Sequence, residues 1–218
     1  MKLGLICGME VEARALGDLR THPRLMLGIS AARPERATEL SQMMVRDGAD
    51  VLLSWGIAGA LSPDLDSGAL LVPEAVIDPQ GNRSDLSGLR PTSSPSQMLL
   101  AGSDVIVPTP DAKTNLFLAT GAVAVDMETH RVAQVASSAN LPCIAIRAVS
   151  DPAHRALPPG TEDALDETGR PRVLPVLAGL VRHPTRLPGL LRAKQDLDCA
   201  LTSLRELGSG LIAGLLER

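Results

Sequence analysis

Residues 122–151 read AVAVDMETHRVAQVASSANLPCIAIRAVSD. Ala122-Val123-Ala124-Val125 is an apolar, partly β-branched run that stops at Asp126-Met127-Glu128. This predicts a buried strand that gives way to a helix at Glu128. The helix is expected over roughly residues 128–140. It is closed by Asn140, which tolerates a left-handed cap, and by Pro142, which cannot continue a helix. Cys143-Ile144-Ala145-Ile146 is a second apolar strand. A strand, helix and strand of these lengths, with both strands apolar, predict a parallel pair covered on both faces. In such a sheet the ligand crevice lies beyond the carboxyl ends of the strands, so Glu128 and Asp151 are expected to face one cavity.

The rest of the chain suits one domain spanning residues 1–218, with residues 172–218 a helical C-terminal tail. Leu3 to Cys7 reads as a strand closed by Gly8, and residues 9–16 as a helix with Glu10 and Glu12 in its first turn. Carboxylates there stabilise a helix start, which is the bland reading of both residues. Further strands are expected at residues 25–29 and 51–55, the second running into the small-residue segment Gly56-Ile57-Ala58-Gly59-Ala60. Between them Pro34 starts a helix ended by Gly48. Residues 69–77 read as one strand broken at Pro73, residues 78–97 as a surface loop, residues 105–107 as a short strand and residues 111–119 as a helix. Residues 156–171 read as loop.

Composition narrows the function. Trp55 and Phe117 are the only aromatic residues, so a base-binding pocket must use aliphatic side chains. A formal net charge of −4 offers no general attraction for a polyanion, which argues against nucleic acid. Cys7, Cys143 and Cys199, an odd number at wide spacing, read as reduced, buried and inert thiols of a cytoplasmic protein. Glu10 and Glu12 interrupt the first apolar stretch too early for a signal-peptide core, and no uncharged apolar run reaches bilayer-spanning length. No cofactor or metal motif is expected, and Gly4 and Gly8 do not form a dinucleotide-binding turn.

Three motifs, GLICGMEVEA at residues 4–13, SWGIAGAL at 54–61 and VDMETHRVAQVA through IRAVSD at 125–151, resemble the nucleoside phosphorylase and nucleosidase superfamily. The resemblance implies an α/β, three-layer αβα fold around a central mixed β-sheet, assembled as a homodimer or higher homo-oligomer. The first motif is more similar to the nucleosidases for methylthioadenosine and adenosylhomocysteine than to phosphorylases. Carried over by position, the resemblance implies that Glu12 activates water, Glu128 holds the ribose 2′ and 3′ hydroxyls, and Asp151 protonates adenine at N7. Met9 falls among the substrate-binding residues, Met127 matches the methionine packed on the sugar, and Ala58 and Gly59 match the loop near the nucleophile. Val105, Ile106 and Val107 match the segment whose backbone recognises adenine. Cleaving an N-glycosidic bond builds positive charge on the ribose and negative charge on the base, so it needs an acid at the base and carboxylates at the sugar. Asp151 must then hold a proton, favoured by burial beside other carboxylates, while Glu12 must be ionised.

The departures bear on the substrate. Ile57 stands where the family commonly has Ser, and the aromatic that stacks on the base is replaced by Val105, Ile106 or Val107. Glu12 and Ser54 occupy positions where phosphorylases carry arginines. Arg33 and Arg36 keep phosphorolysis open. Residues 172–191, RVLPVLAGLVRHPTRLPGLL, combine leucines, arginines and prolines. This tail resembles that of the hopanoid-associated members of the family, which act on adenosylhopane in hopanoid lipid biosynthesis. The resemblance thus implies a lipid-linked nucleoside substrate and peripheral contact with the inner membrane through residues 172–191. The alternatives are a methylthioadenosine/adenosylhomocysteine nucleosidase, a phosphate-dependent phosphorylase and, for the tail, an ordinary core or interface helix.

Overall fold

The computed structural model describes residues 1–87, 98–158 and 187–217. Its strands are β1 (Leu3–Cys7), β2 (Leu25–Ile29), β3 (Val51–Ala60), β4 (Leu70–Leu71), β5 (Ala75–Ile77), β6 (Arg83–Asp85), β7 (Leu99–Gly102), β8 (Ala124–Asp126) and β9 (Cys143–Asp151). Its helices are α1 (Glu10–Ala15), α2 (Pro34–Arg46), α3 (Pro110–Thr120), α4 (Thr129–Ser138), α5 (Leu187–Ser203) and α6 (Ser209–Leu216). The strands form one mixed sheet in the order β2-β1-β3-β8-β7-β5-β6, with β9 paired to β3 and β4.

Period-2 alternation sorts the side chains of the long central strands between two cores. Leu53 and Trp55 of β3 and Ile144 and Ile146 of β9 join Ala13, Leu16, Ala200, Leu204, Ile212 and Leu215 on the face covered by α1, α5 and α6. Leu52 and Ala58 of β3 and Cys143 and Ala145 of β9 join Ala37, Met44, Val132 and Ala136 on the face covered by α2 and α4. A helical layer on each face of a mixed sheet is the α/β architecture the resemblance implies.

The organising strand-helix-strand folds differently from its reading. Its first strand starts at Ala124 rather than Ala122, and α4 starts after Glu128 and ends at Ser138. Asn140 adopts the expected left-handed conformation, with φ +53°. The two strands do not pair with each other, because β3 lies between them. Ten residues of β3 are long enough for β1 and β8 to share one edge, while β9 runs parallel along the other from Leu52↔Cys143 to Gly59↔Asp151. Both β3 and β9 outrun their apolar cores. Residues 56–60 are strand rather than loop, because their backbones are paired, with β9 from Gly56 to Gly59 and with β8 at Gly59 and Ala60.

Other readings are also revised. The two sides of Pro73 join different parts of the sheet, β4 on β9 and β5 between β6 and β7. Strand β6 lies within the expected 78–97 loop, whose residues 88–97 are outside the described residues. Residues 105–107 are not a strand; the strand is β7, just before them, whose four residues fell below the apolar-run signal. Helix α3 is close to its expected span, with the Thr109 hydroxyl accepting from Ala112 N at 3.2 Å. Cys7 and Cys143 are buried free thiols, whereas Cys199 is exposed on α5. Residues 159–171 of the expected loop and 172–186 of the tail lie outside the described residues.

Residues 187–216 form α5, one π-helical turn over Leu204–Gly208, and α6. By length and composition this 30-residue run could cross a membrane, a reading the sequence had not produced because charged residues interrupt it. Ala200, Leu204, Ile212, Leu215 and Leu216 of this run are buried in the core on the α1 face of the sheet, while Leu187, Leu191 and Leu207 are exposed. The π turn brings Gly208 so close to Trp55 that an added Cβ would lie 2.8 Å from the indole ring. Trp55 in turn donates from Nε1 to the Glu12 carbonyl at 2.9 Å. Gly208→Ala is therefore expected to cost about 1–3 kcal/mol through overpacking. It should also shift the emission of Trp55, the single tryptophan, and unchanged melting and emission would remove this contact from the account.

Candidate active site

The loop after β1 supplies the first carboxylate. Met9 N donates to Glu12 Oε2 at 2.7 Å, so Glu12 does cap its own helix, as the bland reading holds. Its other oxygen has a second task. Ile57 N, on β3, donates to Glu12 Oε1 at 2.8 Å, so the carboxylate bridges α1 and the centre of the sheet. A backbone N–H makes this contact, so Ile in place of Ser at position 57 leaves it intact. Glu12 is buried, and burial raises its pKa against the opposing pull of Arg147 and the N–H groups of Ile57, Met9 and Gly8.

Arg147, in the middle of β9, was passed over in the sequence because it sits among apolar residues. It is fully buried. Its Nη2 pairs with Asp126 and donates to Ser54 Oγ at 2.5 Å and Thr129 Oγ1 at 3.0 Å, and it lies 3.6 Å from Glu128 Oε2. Burial works against its charge, but Asp126, Glu128 and Glu12 outweigh burial and hold its pKa above the ordinary value. Its Nη1 makes no hydrogen bond among the described residues. Asp126, likewise passed over in favour of its neighbour, also accepts from Thr129 N at the start of α4.

Glu128 is the residue before α4, and its Oε1 accepts from Ser30 Oγ at 3.3 Å. Burial first, then Asp126 and Glu12, push its pKa up to about 8 against the opposing charge of Arg147. Three glycines make room for the acids. A Cβ on Gly8 would meet Glu128 Oε1 at 2.8 Å and Glu12 Oε2 at 3.3 Å. One on Gly56 (φ +152°) would meet Glu12 Oε1 at 2.5 Å and Arg147 Nη1 at 2.6 Å, and one on Gly59 would meet Asp151 Oδ2 at 3.0 Å. The small residues of the second motif thus admit carboxylates of the protein itself.

Asp151 ends β9 where the register shifts: Ala58 and Gly59 pair with Val149 and Asp151, leaving Ser150 as the extra residue. Bulges re-aim side chains beside sites in this way. Ser150 Oγ donates to Asp151 Oδ1 at 2.6 Å, and Lys113 Nζ donates to Oδ2 at 2.5 Å. Burial raises the Asp151 pKa, and Lys113 pulls it down. The expectation that other carboxylates surround Asp151 is corrected, because its nearest charge is a lysine. The acid among carboxylates is Glu128.

The structure therefore gathers Met9, Glu12, Glu128 and Arg147 around Gly8 and Gly56. Asp151 stands beside Gly59, three residues along β3, or about 10 Å at strand rise. Met127 is half-buried between Asp126 and Glu128, and Ala58 is buried next to Gly59. Val105 is exposed, whereas Val107 packs on Leu61, Ala101 and Val125. Their loop is held to α4 by Asp104, which accepts from Arg131 Nη2 at 2.8 Å and lies 3.0 Å from His130 Nε2. Among the described residues no cluster of His, Cys, Asp and Glu is arranged for a metal.

This sequence matches the Phosphorylase superfamily over residues 25–100 and 94–183, and the chain belongs to that family. The fold is that of 5′-methylthioadenosine/S-adenosylhomocysteine nucleosidase from Neisseria meningitidis, solved with methylthio-immucillin-A. That similarity has a TM-score of 0.71 at 17% identity, over 98% of this chain and 99% of that one. The corresponding nucleosidase of Helicobacter pylori gives 0.69 at 16% identity, over 100% and 98%. Futalosine hydrolase of the same organism gives 0.66 at 17% identity, over 100% and 97%. No curated protein sequence matches this chain.

The raised pKa of Glu128 has a consequence for stability. Between the unfolded carboxylate range and about pH 8 the folded state keeps a proton that the unfolded state releases, so this group lowers stability as pH rises through that window. Glu128→Gln is expected to melt higher than the native protein at pH 8, with the difference shrinking towards pH 5. A difference that does not change with pH, followed by scanning calorimetry, would contradict that assignment.

Proposed function

We propose that this protein is a nucleosidase that hydrolyses the N-glycosidic bond of a 5′-substituted adenosine and releases adenine. The observation that carries the reading is the pair at Gly56, where the Glu12 carboxylate and the unspent Nη1 of Arg147 stand on either side of one glycine. On this reading the Glu12 carboxylate accepts the proton that the attacking water loses. Near neutral pH Glu128 keeps its proton, and ionised Glu12 and Asp126 set against the single guanidinium leave the local charge negative where positive charge develops on the ribose. Asp151, about 10 Å away along β3, is raised by burial and gives its proton to the base. Solved relatives of the same fold are named for nucleosidase and futalosine hydrolase activity, which supports hydrolysis.

For the 5′ group, the reading is a bulky apolar substituent, with adenosylhopane as the candidate the tail suggests. Its support lies in the aromatic residues. Trp55 is buried behind Glu12 and under Gly208, and Phe117 packs with Leu61, Ala101 and Val125, so both are committed to the core. An aliphatic wall suits a hydrocarbon substituent, which is worth roughly 25 cal/mol per Å² buried. Phosphorolysis has less support, because the cation nearest Glu12, Arg147, is already neutralised by Asp126.

In phosphate-free buffer, purified protein is expected to release adenine from 5′-modified adenosines. Glu12→Gln and Asp151→Asn should each lower kcat by about 10²–10⁴. An absolute requirement for phosphate, with a sugar 1-phosphate as product, would make the protein a phosphorylase. Catalytic efficiency should be higher on adenosylhopane than on methylthioadenosine, and the reverse order would overturn the assignment of the 5′ group.

A further inference from the structure

Lys113 occupies a position that nothing in the proposed chemistry requires. It is the one buried residue of α3, with no exposed surface, on a helix whose Leu118 is 75% exposed. All three of its ammonium donors are spent at one place. They reach Asp151 Oδ2 at 2.5 Å, Pro152 O at 3.0 Å and Arg155 O at 3.0 Å. Two of these acceptors belong to the backbone that follows Asp151, so α3 grips the acid and the loop leaving it.

A buried ammonium is costly unless it is paired, and a neutral side chain could have tied two carbonyls to a helix. The charge is directed at the carboxylate. The other charged group that faces Asp151 is Asp196 on α5. Asp196 is held at a remove by its ion pair with Arg155 and by Ser67 Oγ, which donates to it at 2.9 Å. Lys113 is therefore the one cation bonded directly to Asp151 among the described residues.

We propose that Lys113 is a positioning residue that sets the acid strength of Asp151 and receives the carboxylate formed when Asp151 gives up its proton. The proposal rests on the reading of Asp151 as the acid. As the glycosidic C–N bond breaks, its electron pair moves to the base and the Asp151 proton goes to a base nitrogen. The water that attacks the sugar carbon gives its proton to Glu12. Asp151 is then an anion 2.5 Å from a fixed ammonium, so the product side of the transfer is paired as soon as it forms. Burial alone would make Asp151 a weak acid that holds its proton. The lysine opposes burial and makes the proton transferable.

The test is a titration of the Asp151 carboxyl carbon by ¹³C NMR in the full-length protein, assigned by its loss in Asp151→Asn. In Lys113→Gln the midpoint is expected to rise by about 1–3 pH units, the range for losing a neighbouring opposite charge. In Lys113→Arg, which keeps the charge, it should remain near the native value. The alkaline limb of kcat/KM for adenine release should move up with it in Lys113→Gln. An unchanged Asp151 midpoint in Lys113→Gln would overturn the proposal and leave Lys113 a structural tie. If Lys113→Gln does not fold, Lys113→Arg decides: a native midpoint supports the proposal and a rise of the same size overturns it. Absence of adenine release from every nucleoside would remove the reading of the reaction, while the titration would still report whether Lys113 governs Asp151.

Discussion

A guanidinium with no exposed surface in the middle of a strand constrains everything around it. Arg147 must be neutralised where it lies, because a buried charge without partners is among the least tolerable features of a fold. Asp126, at the end of β8, does most of this, while Ser54 on β3 and Thr129 at the start of α4 occupy further donors of the fork. Three elements, β3, β8 and α4, thus converge on one side chain of β9. The short β8 and the sharp entry into α4 follow from placing Asp126 and Thr129 three residues apart against the same group. Gly56 is glycine because both the guanidinium and Glu12 pass within reach of its missing side chain.

That convergence divides the site into two electrical compartments. Around Gly8 and Gly56 three carboxylates share one guanidinium; burial raises both Glu12 and Glu128, and at Glu128 the neighbouring Asp126 and Glu12 add to the rise. Around Gly59 the Asp151 carboxylate is bonded to a single lysine, with Asp196 farther off. On the proposed reading the first compartment lies at the sugar and the second at the base, matching the polarity that the breaking bond acquires. The sheet fixes the separation between them, because the two glycines are set three residues apart on one strand.

Much of this was legible in the sequence, for identifiable reasons. Apolar runs and their breakers located β1, β2, α2 and α4, and Asn140 before Leu141-Pro142 marked a left-handed turn that the structure contains. Glu128 and Asp151 were found because each stands where an apolar strand ends, whereas Glu12, inside α1, was legible only as a helix-start carboxylate until the family resemblance gave it a role. Arg147, Lys113 and Asp126 were not, because their meaning lies in partners 21 to 93 positions away or was masked by a more conspicuous neighbour. The pairing of β8 and β9 was misread for a related reason. Local pattern gives the direction of a strand, but not how far a third strand extends between two others. A charged residue in the middle of an apolar strand, such as Arg147, and a lysine on the inward face of a helix, such as Lys113, are the signals that would have helped.

The contact between Gly208 and Trp55 joins two layers that are far apart in sequence. Helix α1 carries Glu12, and the carbonyl of Glu12 accepts from an indole whose ring packs against the π turn between α5 and α6. The backbone that presents the first carboxylate is thus braced from behind the sheet, so a change in how the α5–α6 layer packs is transmitted to Glu12 through a single ring.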